Sequence, residues 1–220
     1  MASKLALITD QDNWVKVRDR IALILTEELA NQYTLADSLP VSNPEFYQSE
    51  VFIERAQAFA WSDDDNELKT AVVVRFDSFN NKQNTSGYST DYLATVQYKV
   101  DVISASRAQG TDSADLLASK KSDLIISLVR NILMAETYTI LDYLPEEKVV
   151  SKKSILSVQR YQPESGATGT FRGIGSTLTF EVDVFESSPK ESTNNLNLIH
   201  TQTTNHEDQD VFRADFDTEG

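Results

Sequence analysis

Three clusters in this chain hold residue types that could do chemistry, and two histidines add a fourth candidate. Asp63, Asp64, Asp65, Asn66 and Glu67 set oxygen donors side by side, as a calcium loop does. An EF-hand loop needs ligands at alternate positions, a Gly at the sixth and a Glu at the twelfth. Counted from Asp63 the sixth position is Leu68, so the run reads as a solvated acidic turn. Gly166, Gly169, Gly173 and Gly175 invite comparison with a phosphate-cradling loop. A Walker loop ends in Gly-Lys-Ser/Thr and opens a helix. Here no Lys is present and a strand pattern follows, so the glycines fit a hairpin with a bulge near Gly173 or Gly175. Glu27 with Glu28, and Glu146 with Glu147, are paired carboxylates. Glycosidase-type work needs two carboxyls facing each other across a cleft, whereas adjacent side chains point apart. His200 and His206 lie in a polar C-terminal stretch, poor ground for a rigid zinc site or a Ser-His-Asp triad. The absence of cysteine removes disulfides and thiolate metal sites. No catalytic, cofactor-binding or metal-binding residue emerges, no cofactor is implied, and the chain does not read as an enzyme.

The elements that would position these residues are clearer than the residues themselves. Ile174, Leu178, Phe180, Val182 and Val184 alternate with Thr177, Thr179, Glu181 and Asp183. A period of two means a strand with one covered and one wet face. Val96, Tyr98, Val100 and Val102 alternate in the same way with Thr95, Gln97, Lys99 and Asp101, giving a strand over 92–103. Strands are also expected at 51–61, less regularly, and at 70–79, 149–161 and 170–186. Trp14, Val17, Ile21, Ile24, Leu25 and Leu29 recur at helical spacing, with Asp12 or Asn13 as cap, and predict a helix to about Asn31. A second helix starts at Thr111, Asp112 and Ser113 and runs to about Ala135. Its stripe is Leu117, Leu124, Leu128 and Ile132, widened by Leu116, Ile125, Val129 and Leu133. Loops are expected at 32–50, 62–66, 80–90 and 163–169. The expected fold is α+β: an antiparallel or mixed sheet of four to five strands, with two helices packed on one face.

At 220 residues the chain fits a loose lead-in over 1–12, a single core domain over 13–186, and an acidic extended tail over 187–220. A core of that size buries roughly 68–70% of its unfolded surface and folds without staples. Acidic residues outnumber basic ones 34 to 20, for a net charge of −14. Phosphate contacts need the opposite surplus, so the charge argues against nucleic-acid binding as the main task. No apolar run reaches the length of about 18 needed for a membrane span. The short apolar run at 5–8 is below a signal-peptide core, so the chain is expected to stay in the cytoplasm where it is made.

Two surface features point to partners. Val211, Phe212 and Phe216 sit among acids in the tail. They suit either a docking peptide that adds to a partner surface or a tail that folds back on its own domain. The sheet leaves two edges with unpaired backbone groups, which copies of the chain could satisfy. The polar tip at 80–90 and the 163–175 hairpin lie where a neighbour would be touched. The interface candidates are therefore Phe79, Tyr88, Tyr92, Phe171, Arg172, Val211, Phe212 and Phe216.

The element order resembles that of the tail terminator (tail completion) proteins of long-tailed phages. The resemblance is carried by the strand run from Tyr98-Lys99-Val100-Asp101-Val102 to Ser106, then the helical run from Asp115-Leu116-Leu117 to Val129. The closing pair, Ser154 to Tyr161 and Gly175 to Phe185, completes it. It covers about residues 13–186 and rests on pattern, with no diagnostic motif. It implies a homo-oligomer, a hexameric ring, on the head-proximal end of the tail tube. Such a ring stops tube polymerisation and meets the neck, with DNA passing through the lumen without specific binding. The implied partners are the tail tube protein, a neck or connector protein and, through the loop at 32–50 and the acidic tail, a sheath protein. The implied location is the virion, at the head-proximal end of the tail. The competing readings are another neck, head–tail connector or tube-associated ring protein, and a non-viral acidic binding module.

Overall fold

The computed structural model describes residues 11–55, 70–82, 91–108, 111–161 and 172–187, with backbone alone at 200–202, 205–206, 209–210 and 213–215. Two compact units divide the chain: Gln11–Glu186, and Met1–Asp10 together with Ser187–Gly220. The larger unit holds α1 (Asn13–Ser38), β1 (Ser49–Ile53), β2 (Thr70–Lys82), β3 (Asp91–Ser106), α2 (Ala114–Met134), β4 (Val150–Tyr161) and β5 (Arg172–Ser187). This is an α+β fold with two helices and a five-stranded mixed sheet, in the order β1-β2-β3-β5-β4.

Strand β1 runs parallel to β2, whereas β2–β3 and β4–β5 are antiparallel. Side-chain bonds link Thr95 to Asp183, Gln97 to Glu181 and Asp101 to Thr177. One number rises as the other falls, so β3 and β5 are antiparallel too. The mixed character comes from β1 alone, which reaches β2 through a long connection rather than a hairpin.

Alternation places Val72, Val74, Val96, Tyr98, Val100, Val102, Leu178, Phe180, Val182 and Val184 on one face. There they form one core with Val17, Ile21, Leu25 and Leu29 of α1 and Ile125, Val129 and Leu133 of α2. Burying side chains of this size contributes about 1.5–3 kcal/mol each. Tyr98 is fully buried and its hydroxyl donates to the Trp14 carbonyl at 2.7 Å, so the polar end of the largest core residue is satisfied.

Helix α1 continues past Asn31 to Ser38. Ala36 supplies one more buried position, and only Pro40 forbids further turns. The expected loop at 32–50 thus holds the end of α1, a 3₁₀ turn at Pro44–Tyr47 and the start of β1. Neither Asp12 nor Asn13 caps α1 with its side chain. The distant Glu186, at the end of β5, accepts from the backbone N–H of Trp14 at 2.7 Å and of Asn13 at 3.1 Å. In α2, Ser113 caps as expected, accepting from Leu116 N–H at 3.3 Å. Its buried stripe is centred on Ile125, Val129 and Leu133. Leu124 and Leu128 are half-buried and Leu116 is exposed.

In the smaller unit, His200–Gln202 pairs antiparallel with Arg213–Asp215, and Asn205–His206 with Gln209–Asp210. Short ladders thus interrupt the expected extended tail.

Candidate assembly interface

The sheet face away from the helices carries charge rather than a cleft. Arg75 of β2 bonds Asp101 of β3, whose carboxylate also accepts from Thr177 of β5. Lys99 donates to Asp77 at 2.6 Å and Lys82 to Asp183 at 2.8 Å. Each acid is matched by a neighbouring donor, so this face is a brace across three strands. Asp101 is only 2% exposed, a carboxylate held where burial alone would penalise it. Ala71, Val73 and Ile103 on the same face are buried as well, so the face is dry at its β1–β2–β3 end and wet only in part. For Asp183, burial alone would raise the carboxyl. Its bonds from Lys82 and Thr95 outweigh burial and hold it below the ordinary carboxylate range.

The two edges are more open. Among the described residues, strand β4 pairs only with β5, and β1 only with β2. The β4–β5 register slips between Val150 and Lys152 and again between Ile155 and Ser157. The second slip leaves Leu156 without a partner, and a bulge turns such a residue outward. Leu156 and Val158 are each 48% exposed. Both slips lie in β4; Gly175 pairs in register with Tyr161, and the residues opposite Gly173 lie outside the described residues. Gly175 has another use: a Cβ there would lie 2.4 Å from Cζ of Tyr161, so the ring rests flat on its backbone. Burial pushes the Tyr161 phenol above its ordinary value, and Arg75 partly offsets this.

Cations fix β4 to the helix layer. Lys153 donates to the carbonyls of Leu133 at 2.6 Å, of Ala135 at 3.4 Å and of Tyr138. It thereby ties β4 to the end of α2 and the turn that follows, adding a donor to carbonyls of which those of Ala135 and Tyr138 also accept backbone N–H bonds, and burial lowers its amine below the ordinary value. Arg160 reaches Ser119 at 3.1 Å and bonds Asp123. At the other edge, Glu54 adopts φ 51° just after β1. Its N–H donates to the Val74 carbonyl at 3.0 Å, and its carboxylate accepts from Phe76 N–H at 2.8 Å. Ile53, the last residue of β1, is 43% exposed. Both edge strands are anchored by contacts within the unit.

Of the residues expected at an interface, Phe79 and Tyr92 come together. Their rings meet edge to face at 6.5 Å, and both are half-buried against the core. Arg172 opens β5, and its side chain lies outside the described residues. So do Tyr88, Phe171, Val211, Phe212 and Phe216, the 62–66 turn, 83–90 and the 163–169 loop. Residues 80–82 of the expected tip belong to β2. Glu28 of the first carboxylate pair accepts from the Tyr138 hydroxyl at 2.5 Å, and this bond pushes the phenol up to about 12. Glu147 of the second accepts from Leu144 N–H at 2.9 Å. Both therefore have structural partners. Among the described residues no group of acids and histidines could hold a metal ion, and no helix is long and apolar enough to cross a membrane. Sequence reasoning missed Ile53, Leu156 and Val158. The adjacent pair Ile155-Leu156, which breaks the alternation of β4, was the available signal.

Comparison with models of known protein families and with characterised protein sequences returns no match.

Proposed function

We propose that this protein is a structural ring subunit that caps the head-proximal end of a phage tail tube, ending tube polymerisation and joining the tail to the neck. The observation that supports this reading is a sheet covered by helices on one face and, among the described residues, unpaired at both edges, together with the resemblance of the sequence pattern to tail terminators. A subunit with two open edges and no matching half of its own is suited to contacts that close on themselves at a fixed number. The charge of −14 favours a lumen through which DNA slides without being gripped. In this reading the partners are further copies of the chain, the tube protein, a neck protein and a sheath protein, and the role is non-enzymatic.

The test is in vitro tube assembly followed by negative-stain imaging. Purified protein is expected to form rings, and tubes polymerised in its presence should stop short with a ring at one end. A variant with 83–90 replaced by Asn-Gly should fold and form rings yet fail to cap, since Lys82 pairs with Leu93 and a four-residue loop of Asn, Gly, Asp91 and Tyr92 then joins them. Tubes of normal length in the presence of wild-type rings overturn the reading.

A further inference from the structure

We propose that copies of this chain join through unlike edges, β4 of one against β1 of the next, so that one sheet continues from subunit to subunit. The inference rests on the ring reading above and specifies which surfaces make the ring.

Strand direction supplies the first argument. Strand β1 points the same way as β2, β3 is reversed, β5 is reversed again, and β4 is reversed once more. The two free edges therefore run in opposite senses. When copies are placed side by side in the same orientation, β4 of one meets β1 of the next antiparallel, the more favourable pairing. The contact is heterologous and leaves each end ready for another copy, which is what a closed ring requires.

Charge supplies the second. Strand β4 contains Lys152, Lys153 and Arg160 and no acid, in a chain whose acids outnumber its bases 34 to 20. Strand β1 contains the exposed Glu50 and no base; Glu54 and Arg55 follow it, Glu54 paired with Arg18 at 3.4 Å and Arg55 lying 4.1 Å over the Phe52 ring. Pairing β4 with itself about a two-fold axis brings Lys152 against Arg160 of a second copy. Like charges facing each other across strands oppose pairing, whereas β4 against β1 can set Lys152 beside Glu50, both exposed. The exposed apolar residues are shared between the two edges in the same way: Leu156 and Val158 on β4, and Ile53 on β1. Lysine, which commonly blunts a free edge, leaves the β4 edge incompletely guarded here. Lys153 is turned inward onto the end of α2, and Leu156 is turned outward by the bulge.

Mixing two edge variants tests the inference. Val158→Lys blocks the β4 edge and Ile53→Lys blocks the β1 edge. Both sites are about half exposed, so circular dichroism should show folded protein for each. Sedimentation velocity should show wild-type rings and each variant alone as a monomer. An equimolar mixture should sediment at twice the mass of either, because one intact β4 edge and one intact β1 edge remain. If Ile53→Lys alone assembles like wild type, β1 is not the partner and the inference is overturned. A mixture that stays monomeric while wild type assembles overturns it equally. None of these measurements uses tubes, so the two readings fail separately. Edge pairing that holds while tubes grow past the ring removes only the capping role. Rings that cap tubes yet survive both substitutions remove only the edge assignment.

Discussion

Glu186→Ala is expected to destabilise the larger unit by about 2–3 kcal/mol, although Glu186 lies more than a hundred residues from the helix it caps. The side chain is buried and accepts from Trp14 N–H at 2.7 Å and from Asn13 N–H at 3.1 Å. Removing it leaves two donors at the start of α1 without partners, each costing about 1–3 kcal/mol when cut off from water. Both residues are half-buried, so water recovers part of that cost. For a unit of this size, the loss lowers Tm by about 5–10 °C. Glu186→Gln should cost less than Glu186→Ala, about 1–2 kcal/mol, because one acceptor oxygen remains for one N–H while the amide NH2 faces the other. The pH dependence follows from the same balance. Burial raises the Glu186 carboxyl above its ordinary value despite the two N–H bonds that lower it. A carboxyl whose folded-state pKa exceeds its unfolded one contributes most below the ordinary carboxylate range, and that contribution is lost as pH rises through the folded value. Glu186→Gln should remove this component of the pH profile. Asp12→Ala is the contrast. Asp12 makes no cap bond and only an exposed contact with the Trp14 indole at 3.2 Å, so its loss should cost under about 0.5 kcal/mol. Thermal and urea denaturation of the three variants provide the assay. A larger loss for Asp12→Ala than for Glu186→Ala refutes the reasoning.

Gly175→Ala should lift the Tyr161 ring from its backbone seat, so that the phenol titrates closer to its ordinary value of about 10 in ultraviolet absorbance. In a Tyr161→Ala background the same change should be neutral or stabilising, and an equal cost in both backgrounds rules out the contact as the cause. Lys82→Met should cost under about 1 kcal/mol at neutral pH, because Lys82 is half exposed and solvent screens the pair. The Asp183 carboxyl it serves is held below the ordinary range. The contribution is therefore present above that range and lost as pH falls through the folded value, so urea stability of variant and wild type should converge in acid.

The sequence alone determined most of the layer structure, because periodicity is a local record of which side meets the core. Val96 to Val102 and Leu178 to Val184 alternate without a break, and Val17, Ile21, Leu25 and Leu29 keep helical spacing, so these elements and their inward faces were legible in the sequence. The same logic misplaced the stripe of α2 by a fraction of a turn, because leucines at Leu124 and Leu128 and the β-branched pair at Ile125 and Val129 satisfy two neighbouring faces almost equally. Tertiary structure decided what depends on residues far apart in the chain. It made β1 parallel, chose Glu186 over Asp12 as the cap of α1, and matched Arg75 with Asp101 across strands. It also placed β4 and β1 at the two ends of the strand order. No local pattern marks an edge strand, since strand order depends on crossovers and not on alternation. Exposure of Ile53, Leu156 and Val158 follows from that order, because an apolar side chain is covered only if the fold sets a neighbour beside it.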